Sequence, residues 1–96
     1  MDLPAFNASL DRAAPPEGLA PALQALWHQA KGDWEQAHRL AQSQRNAIGY
    51  WVHAYLHRVE GDEANEGDWY RRADRPYSRV PLQSEWEEIV SALLAD

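Results

Sequence analysis

Cysteine is absent from this chain of 96 residues, which excludes a disulfide framework, a thiolate metal site and a cysteine nucleophile together. Lysine occurs once, at Lys31, against eight arginines, and the formal net charge is −6. That balance leaves no basic face of the kind a general nucleic-acid binder or an anionic-membrane binder needs. No apolar run approaches the roughly 18 residues of a membrane span. The start, Met1-Asp2-Leu3-Pro4, carries no apolar stretch of a secretory signal. The expected address is the cytoplasm, with neither nucleic acid nor membrane as a partner. No segment alternates with period two for long enough to make a strand.

What the chain does have is an aromatic load of five Trp and four Tyr beside one Phe and one Met. In one small domain, such rings stabilise a core first and serve interfaces second. Their placement follows helical spacing. Residues 1–18 read as an arm: a short helical turn over Ala5–Leu10 is stopped by Pro15-Pro16. From Leu19 onward, residues 19–96 read as a single helical domain. Leu19, Leu23, Leu26, Trp27 and Ala30 form one stripe, with Pro21 in the first turn and Gly32 as the stop. Asp33 then caps a second helix, with Gln36 placed for a capping box and Trp34, Ala37, Leu40 and Ala41 on its inner face.

The third helix, Ala47 to Glu60, is the most apolar, with Ile48, Val52, Tyr55, Leu56 and Val59 in one stripe and Trp51 beside it. Gly61 ends it, and Asp62 caps a fourth helix that carries Trp69, Tyr70 and Ala73. Glu66 and Gly67 weaken that fourth helix and predict a late start near Asp68. A linker from Asp74 to Pro81 precedes the last helix, expected from about Glu85 to Leu94 with Ser84 and Glu87 as a capping box. Its apolar face is Trp86, Ile89, Val90, Leu93 and Leu94.

Laying Gly32-Asp33 on Gly61-Asp62 places His28 on His57, Leu40 on Trp69 and Ala41 on Tyr70. The offset of 29 residues lies within the range of repeat architectures. A helix, a Gly-Asp turn and a second helix, met twice, make a unit that cannot bury its apolar face alone and must stack. The expected fold is therefore all-α, with about five helices: two stacked antiparallel helical hairpins and a C-terminal capping helix.

On these residues the chain resembles the tetratricopeptide and Sel1-like repeat family. The matching positions are the Gly32 and Gly61 turns, Ala25 and Ala54 at the small position of each first helix, Trp34 and Ala37 after the first turn, and Tyr70, Ala73 and Pro76 after the second. More narrowly, Trp51-Val52-His53-Ala54-Tyr55-Leu56-His57-Arg58-Val59-Glu60-Gly61-Asp62, the later Trp69–Ala73 and Glu85-Trp86-Glu87 are similar to a group of short bacterial proteins with no assigned activity. The resemblance implies a concave wall formed by the first helix of each hairpin, which would bring Gln24, His28, Tyr50, His53 and His57 together as partner-binding residues.

Three constellations bear on chemistry. His53 and His57, four residues apart, share one side of the third helix with Glu60, and such a His-His-Glu face suits zinc. The competing reading makes both histidines the far side of a helix packed on two faces. Asp33 and Asp62 read as helix caps rather than catalytic acids. Arg71, Arg72, Arg75 and Arg79 form a basic cluster that reads as a solvated helix end, with phosphate binding as the alternative. No cofactor is expected. The functional expectation is a non-enzymatic helical-repeat scaffold that binds another protein or itself, with self-association through exposed tryptophans. The alternative is a metal- or small-ligand-binding protein using the His53/His57/Glu60 face.

Overall fold

The computed structural model describes residues 1–95, and every regular element among them is an α-helix. Six helices are present rather than about five, because the arm contributes one of its own. Helix α1 (Leu3–Ser9) starts at Asp2, whose carboxylate accepts the Ala5 N–H at 3.0 Å. Among the described residues no helix is long and apolar enough to cross a membrane.

Helices α2 (Pro21–Ala30) and α3 (Trp34–Ser43) are joined through Gly32-Asp33. Helices α4 (Ala47–Glu60) and α5 (Glu63–Arg72) are joined in the same manner through Gly61-Asp62. Both glycines take positive φ, +88° and +83°, a conformation that costs a Cβ-bearing residue about 1–2 kcal/mol. The two turns close with matching backbone bonds: Asp33 N–H to His28 O at 2.9 Å and Gly32 N–H to Gln29 O at 3.0 Å, then Asp62 N–H to His57 O at 2.9 Å and Gly61 N–H to Arg58 O at 3.1 Å. Each aspartate then caps the next helix, accepting the N–H of Gln36 or of Asn65. Gln36 does not complete the expected capping box, because its side-chain oxygen accepts from Arg39 instead.

Two helix starts differ from the sequence-based expectation. Helix α5 begins directly after Asp62, not near Asp68. Gly67 is buried within it because the Tyr77 hydroxyl lies where a side chain would begin. Helix α6 (Leu82–Leu94) begins three residues before Glu85, so Ser84 sits inside the helix and the Ser84–Glu87 capping box does not form. Ala30 is exposed, which leaves Ala22, Leu23, Ala25, Leu26 and Trp27 as the buried residues of α2.

Helix α4 is the centre of the molecule. It packs against α2, α3, α5 and α6, and every residue from Trp51 to His57 is buried. The indoles tie its neighbours together. Trp34 donates to Leu56 O at 2.9 Å, Trp86 to Leu26 O at 3.1 Å and Trp27 to the Ser9 hydroxyl at 3.2 Å. Phe6 is fully buried with its ring 5.7 Å from that of Trp86, and the single lysine, Lys31, donates to Leu10 O at 2.6 Å. These contacts fasten the 1–18 segment to α2 and α6. All five tryptophans are buried or half-buried. The large exposed apolar side chains are Met1, Tyr77, Val80 and Leu82.

One buried charge network holds α6 in place. Glu85 is 1% exposed. It accepts from Arg58 of α4 at 2.6 Å and from the Tyr70 hydroxyl of α5 at 2.5 Å. Arg58 also donates to Val80 O. Burial and the Glu85 carboxylate push the Tyr70 hydroxyl far above its ordinary range. The same two causes raise Tyr55 to about 12. Removing the cation of such a pair strands a buried carboxylate. Arg58→Met should therefore lower unfolding free energy by about 3–5 kcal/mol, as read by urea denaturation, whereas Arg58→Met/Glu85→Leu recovers part of that loss. A second test concerns the turn between α3 and α4. A Cβ on Gly49 would collide with the Gln44 carbonyl, which is backbone and cannot swing away. Gly49→Ala is accordingly expected to cost about 1–3 kcal/mol despite the gain in helix propensity; a stabilised variant would refute that close approach.

Candidate functional site

The most concentrated chemistry lies where α3, α4 and α5 meet. His53 and His57 project from α4 one turn apart, as their spacing dictates. The third partner is His38 of α3, which the sequence reading passes over. The signal for it is positional. His38 stands seven residues before Arg45 and His53 seven after Asn46, and residues equally far from a short interhelical turn face each other across it. In the structure their Nε2 atoms are 2.9 Å apart, one donating and the other accepting.

The three imidazoles make a compact cluster, with ring centres 4.6 Å (His38–His53), 5.3 Å (His38–His57) and 4.9 Å (His53–His57) apart. Indoles flank it: Trp34 stacks on His38 at 4.8 Å and Trp69 on His53 at 3.8 Å. His53 is 3% and His57 8% exposed, so both lie on a face of α4 covered by neighbouring elements. Glu60 does not join His53. Its Oε1 accepts from Nδ1 of His57 at 3.1 Å, with Asp62 Oδ2 at 4.0 Å from the same nitrogen. Burial lowers His53 to about 3, assisted by the neighbouring His38 and His57 and by Arg72. Burial and His57 lower His38 as well, against the opposing pull of Glu60 and Glu35. Both rings are therefore neutral near pH 7.

His53 also borders an open groove of about 750 Å³, lined by Ala41, Gln42, Arg45, Tyr50, His53, Trp69 and Arg72. Its rim is cationic although the chain is acidic: two arginines and no carboxylate line it. Among the described residues neither Arg45 nor Arg72 is paired with an acid. The Arg72 guanidinium lies over the Trp69 ring at 4.5 Å, and Tyr50 packs against that ring at 5.5 Å.

Of the five residues expected to share a partner-binding wall, the structure brings Tyr50 and His53 to this groove and sets His57 just behind it. Gln24 and His28 are elsewhere. The Gln24 amide donates to Leu19 O at 2.7 Å, and His28 packs edge-on against Trp27. The basic cluster is also dispersed: Arg71 pairs with Asp68, Arg72 covers Trp69, and Arg75 lies over Trp51 at 3.3 Å. Sequence reasoning misses Arg45 and Gln42 because nothing local distinguishes them from other exposed polar residues. The chain matches no family model, no curated protein and no solved structure.

The lowered histidines make stability depend on acid. His53 faces His38 on α3, His57 on α4 and Arg72 on α5, while His38 also feels Glu35 and Glu60. Between the ordinary 6.5 and about 3 the unfolded chain binds a proton that folded His53 refuses. Stability is thus complete above pH 6.5 and falls as pH drops through that window. Thermal melts in divalent-free buffer should show the midpoint declining steadily from pH 6.5 to pH 4, with a shallower decline for His38→Gln/His53→Gln. A wild-type midpoint flat across this range would contradict the neutral cluster.

Proposed function

We propose that this protein is a non-enzymatic helical-repeat scaffold that binds another protein, and that the bound element is an acidic segment lying in the α3–α4–α5 groove. On this reading α2–α3 and α4–α5 are two stacked antiparallel hairpins of the tetratricopeptide or Sel1-like kind, and α6 is the terminal cap. The paired Gly-Asp turns, closed by the same backbone bonds 29 residues apart, support that view.

The observation that carries the functional reading is the groove's own chemistry. Arg45 and Arg72 offer planar, multi-donor heads suited to carboxylates. Trp69, Tyr50 and His53 offer flat aromatic surface, the residue class that anchors interfaces. The remainder of the surface is acidic enough to repel such a segment, which steers it toward this one cationic rim.

Affinity capture from native cell extract, run in parallel on wild type and Arg45→Glu/Arg72→Glu, tests the reading. Wild type should retain a discrete protein that is released at about 0.5 M salt. The variant, checked for unchanged circular dichroism and melting, should retain about tenfold less. Equal capture by both would remove the groove from the interaction. No capture by wild type, with a monomer in light scattering at every concentration, would remove the interaction itself.

A further inference from the structure

The geometry points to a divalent metal site of the zinc class formed by His38, His53 and His57, with Glu60 as the carboxylate that orients His57. Imidazoles bound to one tetrahedral ion at about 2.0–2.1 Å hold their ring centres roughly 5 Å apart. The three separations here, 4.6, 5.3 and 4.9 Å, bracket that value. One donor nitrogen from each ring lies within 4.8 Å of the other two. Tetrahedral ligands sit about 3.4 Å from one another. The pair now at 2.9 Å therefore opens by about half an ångström, and the third ring closes by at most about 1.4 Å.

The surroundings fit the same assignment. A metal-bound histidine commonly donates its second ring N–H to a carboxylate, which fixes the tautomer and raises ligand basicity. The Glu60 contact to Nδ1 of His57 has that form and leaves Nε2 for the ion. Asp62 adds a second negative charge on the same side. His38 and His53 share one proton between their Nε2 atoms. On metal binding that proton moves to Nδ1 of the same ring, so both Nε2 lone pairs become available and no net charge is lost from the imidazoles. An all-imidazole set favours zinc, copper, nickel or cobalt over magnesium or calcium. This inference is independent of the proposed partner groove, since it requires no occupant there.

The test uses the full-length, untagged chain stripped of metal. Titration calorimetry with Zn²⁺ should give one site of sub-micromolar affinity, and Co²⁺ loading should give the visible absorption of a low-symmetry nitrogen-ligated ion. His38 is half-buried, so His38→Gln is expected to fold and to bind Zn²⁺ about 100-fold more weakly, with the Co²⁺ bands lost. Glu60→Gln should weaken binding by about 10-fold while the bands persist, as for an orienting carboxylate. Absence of saturable Zn²⁺ binding by folded wild type would overturn the site. So would full affinity in folded His38→Gln together with loss in Asp62→Asn, because the ion would then sit on His57, Glu60 and Asp62 instead.

Discussion

A helix packed on every side has no solvent to satisfy the polar groups it carries, and that constraint on α4 organises this protein. From Trp51 to His57 its residues are all buried, and Arg58 follows with its head drawn inward. Its charged and imidazole side chains must find partners within the protein. Arg58 finds Glu85 of α6, and Glu85 in turn takes the Tyr70 hydroxyl of α5. His53 finds His38 of α3, and His57 finds Glu60 at the end of its own helix. The positions of α3, α5 and α6 are thereby coupled to one helix by bonds whose loss would leave buried groups unpaired. Directional contacts of this kind select one packing among the many that apolar surface alone would permit.

The local punctuation of the fold was legible from residue types. Gly32 and Gly61 supply positive φ, and Asp33 and Asp62 supply capping oxygens, because both tasks depend on the backbone next to them. Tertiary effects were not legible. Pattern alone sets the start of α5 near Asp68, since Glu66 and Gly67 look unsuited to a packed helix. In the structure Gly67 is required by the approach of Tyr77, fourteen residues from the Glu63 carbonyl its hydroxyl meets. The end of α2 that lacks a capping side chain of its own is served by Gln44, twenty-two residues away. Ser84 and Glu87 match a capping box in sequence, yet α6 starts before them, at Leu82, and Glu85 is buried against Arg58.

The site follows the same division. The i, i+4 relation of His53 and His57 lies within one helix and can be read directly, and so can the proximity of Glu60 to His57. The third imidazole depends on how α3 meets α4. His38 becomes visible only when residues are paired outward from the Arg45-Asn46 turn. Tyr50 and His53 border one groove because they share α4. Gln24 and His28 were assigned to the same wall by repeat correspondence, which equates positions in a unit without bringing their side chains to one point. Arg45 and Arg72 come together only at a groove that no single helix defines.

The histidine cluster runs against the economy of the surrounding core. Three imidazoles, two of them on the most buried helix, occupy positions where aliphatic side chains would pack without desolvating ring nitrogens or inviting protonation in acid. A network of polar groups kept in a core at such a cost is expected where geometry serves something besides folding. Arg58 and Glu85 have a structural justification, since together they fix α6. The imidazoles add one bond to an α3–α4 contact that the Trp34 bond to Leu56 also secures. What the cluster adds is a set of imidazole nitrogens with a carboxylate behind one of them, next to a groove whose own charges are cationic. His53 belongs to both features, one ring shared by the imidazole cluster and the groove.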